Sequence, residues 1–202
     1  MIYLVRHGQT EFNQQGRVQG RVDSPLTALG VAQAEAIGER LAGLAQAAPG
    51  GWRIVCSPLG RARATADIIA ARTRLPGPVV EPRLIEVSYG AVEGLTMPEV
   101  HARWPQLAGI DTLFGRAPDG ESFEALTGRV AGWLGEVEAD EAVSVVAVTH
   151  AGVTRVVRGL CLGLDEAGMR LLDKPQDVVF RLDGGREERI ECPPLPSPPL
   201  RS

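Results

Sequence analysis

The segment that decides the fold is AVSVVAVTHAG, residues 142–152. Residues 142–148 form an almost continuous apolar run, which is typical of a strand covered on both faces in the middle of a parallel sheet. Thr149 and His150 follow at once, and residues 152–162 have the pattern of a helix. The segment therefore predicts a central strand that ends in polar residues at the edge of a sheet covered by helices.

Strands and helices alternate along the rest of the chain, each strand being a short apolar run and most helices amphipathic. The first predicted elements are a strand at 2–5, a helix at about 28–44 capped by Thr27, and a strand at 52–56. A helix at about 59–72 follows, capped by Ser57 with Pro58 in its first position, and then a short strand and loop within 82–94. The last elements are a helix marked by Phe123 to Val137 and a terminal hairpin with its turn at Asp183-Gly184-Gly185. This alternation predicts an α/β fold, a three-layer sandwich in which helices flank a mostly parallel central sheet.

The domain organisation follows from the same pattern. The chain has 202 residues, and residues 1–191 are predicted to form a single domain. Between residues 97 and 121 the pattern becomes irregular and proline-containing, and we expect a small inserted cap with one short helix. Residues 192–202 are rich in proline, so we expect an extended, disordered tail.

Charge and composition exclude several classes of protein. The net charge of −4 provides no overall basic field for nucleic acid or anionic lipid, so an anionic substrate needs a local basic pocket. No apolar run is long enough to span a membrane, and the first run stops at Arg6, too early for a signal peptide. The three cysteines are odd in number and scattered, which favours neither a disulfide framework nor a paired metal site and indicates a cytoplasmic protein.

Polar residues end three of the predicted parallel strands. Arg6 and His7 follow the first strand, Ser57 follows the second, and His150 follows the segment 142–149. Because open α/β sheets bind ligands at the carboxyl ends of their strands, these residues mark a candidate site. Two of the three histidines of the chain lie there.

Arg61 indicates the charge of the ligand. It falls in the first turn of a predicted helix, where an exposed cation is unfavourable by about 0.3–1 kcal/mol, whereas a phosphate bound at that helix end would be favourable. Arg6 offers a second fork of donors suited to phosphate oxygens. These two cations would disfavour a proton on His7 and keep it neutral, as a nucleophile must be. Taken singly, however, each of these residues could equally be structural.

The motifs LVRHGQTEFN, QGRVDSPLTALGVAQA, SPLGRARATA, EVSYGAVEG and VTHAG together resemble the histidine phosphatase superfamily, in its branch similar to cofactor-dependent phosphoglycerate mutases. The resemblance runs from residue 2 to about residue 164. It is specific because five separated motifs occur in the order that the family shows. The resemblance implies a phosphoglycerate mutase-like fold.

The resemblance also implies roles for individual residues at positions that match the family pattern. The resemblance implies that His7 is the nucleophile that forms a phosphohistidine and that Glu86 is the proton donor. The implied ligands of the phosphoryl oxygens are Arg6, Arg61, His150 and Asn13, with Gln19 and the Ala151 backbone N–H as further phosphate contacts. Glu86 would start protonated, protonate the leaving alcohol and then deprotonate a water; Glu93 is the nearby competitor for this role. Arginines and His150 would supply the charge stabilisation, so no metal is expected.

The reaction itself is left open between two classes. Cofactor-dependent mutases usually carry an arginine after the catalytic glutamate, a lysine a few residues past the YGxxxG segment, and paired arginines in a longer insertion. Here Val87 follows Glu86, GLTMPEV contains no lysine, and Arg103 and Arg116 are far apart. These departures favour a phosphatase acting on small phosphorylated metabolites. α-Ribazole and sugar-phosphate phosphatases fit equally well, and a mutase would need 2,3-bisphosphoglycerate as cofactor.

Two further classes remain as alternatives. A degenerate relative that only binds phosphorylated ligands would be expected to lack His7 or Glu86, and both are present. A metallohydrolase is disfavoured because the histidines lack paired spacing such as HxH or HExxH, and arginines would crowd a cation. The sequence leaves the oligomeric state open between monomer and homodimer.

Overall fold

A computed structural model describes residues 1–48, 50–108, 113–140 and 142–193. Within these residues, six strands form one sheet in the order β3-β2-β4-β1-β5-β6. The strands are β1 (Ile2–Arg6), β2 (Gly51–Cys56), β3 (Val79–Val80), β4 (Val143–Thr149), β5 (Val178–Asp183) and β6 (Arg186–Glu191). The four strands from β3 to β1 are parallel, and β5 and β6 complete the sheet as an antiparallel hairpin.

The sequence segment around residue 146 forms the central strand, as predicted. β4 lies between β2 and β1 and is parallel to both. Arg6 of β1 pairs with Thr149 of β4, so His7 and His150 follow the ends of two adjacent strands. The register therefore brings the two histidines to the same edge of the sheet.

Seven helices accompany the sheet in the described part of the chain. They are α1 (Glu11–Gln14), α2 (Ala28–Ala47), α3 (Gly60–Thr73), α4 (Met97–Arg103), α5 (Phe123–Glu138), α6 (Ala151–Cys161) and α7 (Glu166–Leu171). Alternate residues of β1 face opposite sides, since Leu4 packs in a cluster with α5 and α6 whereas Val5 packs in a cluster with α2 and α3. The predicted three-layer α/β architecture is confirmed.

The start of α3 differs from the prediction. Ser57 was expected to cap it, but the helix begins at Gly60 after Leu59, which forms no side-chain cap bond. Asp23, from another loop, accepts a hydrogen bond from the Arg61 backbone N–H at 3.3 Å instead. Ser57 Oγ accepts one from Leu59 N at 3.3 Å. The prediction was wrong because a distant carboxylate serves this helix end, which local sequence does not reveal.

The segment 82–94 also differs, since it contains two 3₁₀ turns, at Pro82–Leu84 and Gly90–Val92, where a short strand was predicted. Pro82 lacks the N–H that a strand would use, and the Glu81 side chain accepts from Arg83 N at 3.0 Å, which starts the first turn. The short helices α1 and α7 were not predicted, because four and six residues show no helical period.

The region predicted as a cap contains α4 and a 3₁₀ turn at Pro105–Leu107. Val100, Leu107 and Leu113 form a small apolar cluster there with Val92. Residues 109–112 of the predicted cap and 194–202 of the predicted tail lie outside the described residues. No helix in the described ranges is long and apolar enough to cross a membrane.

Candidate active site

A cavity of about 480 Å³ opens at the carboxyl ends of β1 and β4. Seven of the eight residues singled out from the sequence line it, namely Arg6, His7, Asn13, Gln19, Arg61, Glu86 and Ala151. The eighth, His150, is fully buried behind them, with its ring centroid 5.1 Å from that of His7. A second cavity, of about 610 Å³, lies at the opposite end of β1 beside Cys161 and Gly184, and none of the eight lines it.

His7 is held as a neutral imidazole with a defined tautomer. Its Nδ1 lies 2.8 Å from the Gly8 carbonyl, which can only accept, so Nδ1 carries the proton. Arg61 Nε donates to His7 Nε2 at 3.3 Å, which places the ring lone pair on that atom. Burial, followed by the charges of Arg6 and Arg61, holds the pKa of His7 well below its usual range. Nε2 is thus the ring nitrogen of His7 that carries the lone pair.

Arg61 is buried and fixed in orientation. Its Nη2 donates to the Gly20 carbonyl at 2.7 Å, and its Nη1 donates to the Val22 carbonyl at 2.9 Å. Nη1 also forms an ion pair with Asp23 at 3.1 Å. Because these groups already hold Nη1 and Nη2, only the Nε–H, which donates to His7 Nε2, has to change partner when a ligand uses that atom.

Arg6 keeps donors free for an anion. Its Nη1 donates to the Lys174 carbonyl, while its buried Nε has no partner in the described part of the chain. Burial lowers the pKa of Arg6 to about 10, so the side chain stays charged at neutral pH. A buried, charged donor without an acceptor is costly, and an anionic ligand would remove that cost.

Asn13 is oriented by two donors. Its Oδ1 accepts from Thr10 N at 3.2 Å and from Gln176 Nε2 at 3.1 Å. This arrangement leaves the Nδ2 donors of Asn13 for another acceptor. Gln176 Nε2 also donates to the His7 carbonyl at 3.0 Å. Gln176 was missed by the sequence analysis, since it lies 169 residues from His7 and no motif marks it.

Ser57 is the hydrogen-bond partner of His150. Its Oγ accepts from Leu59 N at 3.3 Å and lies 2.6 Å from His150 Nε2. Nδ1 of His150 is buried and has no partner among the described residues. Burial, with Arg61 and His7 beside the ring, holds the pKa of His150 well below its usual range. In the neutral tautomer in which Ser57 donates to Nε2, Nδ1–H is an unused donor.

The two carboxylates that competed in the sequence analysis occupy different places. Glu86 lies on the cavity wall, where its Oε1 accepts from Val87 N at 2.9 Å and its Oε2 from Gly152 N at 3.3 Å. Glu93 does not line the cavity and instead accepts from Tyr89 N at 2.8 Å and Ser88 Oγ at 3.2 Å. The location favours Glu86 for proton transfer to a bound ligand.

Gln19 and Ala151, the two further phosphate contacts that the resemblance implies, differ in their hydrogen bonds. Gln19 lines the cavity, but its Nε2 donates to Thr10 Oγ1 at 2.6 Å and its Oε1 accepts from Ser24 Oγ at 3.5 Å. Ala151 is the first residue of α6, where the backbone N–H has no partner within the helix. Ala151 is therefore free to donate to a ligand, whereas Gln19 would have to give up an internal bond.

The cap side of the cavity is mainly apolar. Val18, Met97 and Leu113 line it together with Tyr89 and His101. Burial raises the pKa of Tyr89 above its usual range. His101 Nε2 is buried without a hydrogen-bond partner in the described ranges. Across those ranges no group of three His, Cys, Asp or Glu residues is arranged to hold a metal ion.

Comparisons with known proteins identify the family of the chain. The model of the histidine phosphatase superfamily (branch 1) matches residues 2–189. A probable phosphoglycerate mutase GpmB from Citrobacter koseri is 36% identical over 186 residues, which cover 90% of this chain and 84% of that protein. The solved mycobacterial glucosyl-3-phosphoglycerate phosphatase in complex with VO3 is 30% identical at a TM-score of 0.74, with 90% and 96% of the two chains covered.

A second similar structure supports the fold alone. It is a putative alpha-ribazole-5'-P phosphatase from Escherichia coli, 23% identical at a TM-score of 0.76, with 95% of this chain and 96% of that chain covered. Similar proteins thus include both phosphatases and a probable mutase.

Proposed function

Because the chain belongs to the histidine phosphatase superfamily, branch 1, we propose that it is a phosphatase that hydrolyses small phosphomonoesters through a phosphohistidine on His7. One observation carries the proposal: His7 Nε2 is left unprotonated by the bond from Nδ1 to the Gly8 carbonyl, and it faces the fixed guanidinium of Arg61. A neutral imidazole beside cations is suited to attack a phosphorus atom whose oxygens those cations bind.

The proposed first step transfers the phosphoryl group to the protein. His7 Nε2 attacks phosphorus in line, the P–N bond forms, and the bond from phosphorus to the ester oxygen breaks. Arg6, Arg61, the Nδ2 of Asn13 and the Nδ1–H of His150 bind the phosphoryl oxygens. Glu86 gives a proton to the leaving oxygen, so that an alcohol departs.

The proposed second step regenerates the enzyme. Glu86, now a carboxylate, removes a proton from a water, and the water oxygen attacks phosphorus. The P–N bond breaks and its electron pair returns to His7 Nε2, which releases inorganic phosphate. Charge stabilisation comes from the arginines and from N–H donors, so we propose that no metal and no cofactor take part.

The mutase remains the second candidate, and the similarity to a probable phosphoglycerate mutase favours it. A mutase must exclude water from the phosphohistidine and return the phosphoryl group to a second hydroxyl. Val87 stands where mutases carry an arginine, and Arg103 and Arg116 do not line the cavity. We therefore propose hydrolysis in preference to the mutase reaction. We also propose that the protein works in a reducing cytoplasm, which its three free cysteines support.

One assay separates these functions. Phosphate release is followed in EDTA from a panel of phosphomonoesters, and 2-phosphoglycerate formation is followed in parallel from 3-phosphoglycerate with 2,3-bisphosphoglycerate. Free phosphate without isomerised product supports the phosphatase. Rapid isomerisation with little free phosphate would establish the mutase, and loss of activity in EDTA would contradict the metal-free mechanism.

Two variants test the assigned residues. His7→Ala should lose both the trapped phosphoenzyme and turnover. Glu86→Gln should lose far more activity on alkyl phosphates than on p-nitrophenyl phosphate, whose leaving group needs no proton. Glu93→Gln is the matched control and should affect both substrates equally. A Glu86→Gln variant with equal losses on both would move the proton donor elsewhere.

A further inference from the structure

Lys174 is the only lysine in a chain with 21 Lys and Arg residues in total, and it lines the active-site cavity. It was not singled out from the sequence, because it lies outside the family motifs, in the segment between α7 and β5. Resting on the function proposed above, we propose that the Lys174 ammonium binds a second anionic group, carried by the alcohol part of the substrate. The substrate class would then be phosphomonoesters of acidic alcohols.

The first argument is the balance of charge on the cavity wall. Arg61 forms an ion pair with Asp23 at 3.1 Å. Arg17 forms an ion pair with Glu99 at 3.6 Å and also donates to the Gly94 carbonyl at 2.7 Å. Lys174 makes no ion pair within the part of the chain that the structure describes. It is the remaining cation on the wall once Arg6 and Arg61 have bound the phosphoryl group.

The second argument is the position of the side chain. Lys174 is exposed, as a residue at the mouth of a cavity is, yet surrounding protein lowers the pKa of its ammonium. The charges of Arg155 and Arg6 lower this pKa further, whereas Glu86 raises it. Because Lys174 lines the same cavity as Arg6 and Glu86, its side chain lies near both the proposed phosphate-binding arginine and the proposed proton donor.

The third argument is that the segment around Lys174 is anchored on both sides. The Lys174 carbonyl accepts from Arg6, and Gln176 donates to the His7 carbonyl. Asp173 forms ion pairs with Arg189 and, at 2.9 Å, with the buried Arg158. A flexible ammonium on a fixed backbone position suits an anion that varies in distance from the phosphate.

The test compares two esters that differ in one group, 3-phosphoglycerate and glycerol 3-phosphate, which carry a carboxylate and a hydroxymethyl group at the same position. The wild type should have a kcat/KM at least about tenfold higher for the carboxylate ester, as expected for a hydrogen bond to a charged group. Lys174→Met should bring the ratio close to one, and Lys174→Arg should keep most of it. Arg103→Met, an exposed cap cation off the cavity wall, is the matched control and should leave the ratio unchanged.

Equal losses on both esters in Lys174→Met would overturn the proposal, because Lys174 would then act on the reacting phosphoryl group or on the fold. A wild type without preference would overturn it too. Calorimetric titration of both esters into His7→Ala, with and without Lys174→Met, measures the same ratio without turnover. If these titrations show a carboxylate preference that depends on Lys174 while the wild type hydrolyses neither ester, the proposed phosphatase function fails and the anion-binding role of Lys174 stands.

Discussion

His7 and His150 are both neutral, yet each is hydrogen-bonded through a different ring nitrogen. Gly8 accepts from His7 Nδ1, whereas Ser57 Oγ contacts His150 Nε2. His7 therefore leaves Nε2 for a ligand, and His150 leaves Nδ1. The neighbouring groups alone make this difference, on which the proposed roles of nucleophile and hydrogen-bond donor rest.

The His7 tautomer can be measured directly. Because the pKa of His7 is held well below 6.5, we expect its ¹⁵N spectrum to show a neutral ring with a protonated Nδ1 from pH 8 down to pH 5.5. The control is the protein unfolded in urea, in which the histidines should titrate near pH 6.5. An imidazolium signal from folded His7 at pH 6.5 would contradict the assignment.

For single residues, the sequence predicted which polar side chains come together when those residues follow the carboxyl ends of strands. Arg6, His7 and His150 could be placed together because parallel strands end at one edge of the sheet. Gln176 and Lys174 could not, because the segment that carries them reaches the site only through the packing of α6 and the terminal hairpin. No local pattern predicts such an approach.

At the scale of elements, the loop after β1 and the start of α2 meet without side chains between them. A Cβ added to Gly8 would lie 2.2 Å from the Gly30 carbonyl oxygen, and one added to Gly30 would lie 2.0 Å from the Gln9 carbonyl oxygen. Neither glycine has a positive φ, so both are required by close approach and not by backbone conformation. This contact fixes the position of the loop that carries His7.

Gly30→Ala should therefore force the loop and α2 apart. We expect a loss of about 1–3 kcal/mol in the free energy of unfolding, together with reduced kcat, since His7 would shift from its partners. Gly43→Ala in the same helix has open space around the new Cβ and should instead stabilise the protein by about 0.5–1 kcal/mol. Urea denaturation of both variants measures the difference. Equal effects would show that the close approach is not important.

The segment between α7 and β5 provides a second prediction at this scale. Gln176→Met removes the donor that fixes the Asn13 amide, so we expect a rise in the KM for phosphomonoesters of about tenfold. Gln14→Met, the same change at an exposed position of α1, is the control and should leave KM unaltered. An unchanged KM in Gln176→Met would mean that Thr10 alone orients Asn13.

Long periodic elements were predictable, and short or remotely capped ones were not. The helix from Phe123 is predicted by its helical apolar spacing, and the strand ending at Thr149 is predicted by its almost continuous apolar run. Both lie within a few residues of their predicted limits. The start of α3 and the short helices α1 and α7 are capped by one or two side-chain hydrogen bonds each, and the one at α3 comes from a distant loop. Such bonds leave no periodic signal in the sequence.

For the whole molecule, the buried neutral histidines predict how stability depends on pH. The pKa values of His7 and His150 are lowered by folding, so below about pH 6.5 the unfolded chain binds more protons than the folded protein. The free energy of unfolding should therefore decrease as the pH falls, by up to about 1.4 kcal/mol per histidine for each pH unit. Denaturation at pH 7.5, 6.5 and 5.5 measures this slope.

A variant isolates the contribution of the histidines from that of titrating carboxylates. The double change His7→Gln and His150→Gln removes both imidazoles, so we expect a flatter profile between pH 6.5 and 5.5 than in the wild type. Paired carboxylates such as Glu81 and Asp173 have lowered pKa values, so their contribution to stability is lost only below about pH 4.5, outside this range. An identical slope in the double variant would show that the histidines do not carry the dependence.

The position of β1 has a consequence for synthesis on the ribosome. β1 is made before β4 and β5, yet it lies between them in the sheet, with Ile2 paired to both Val145 and Leu182. The nascent chain can complete neither pairing until those late residues have left the exit tunnel. The residue that we propose forms the phosphohistidine is thus translated long before the strands that fix its position, so a growing chain cannot assemble this site until β4 and β5 have been made.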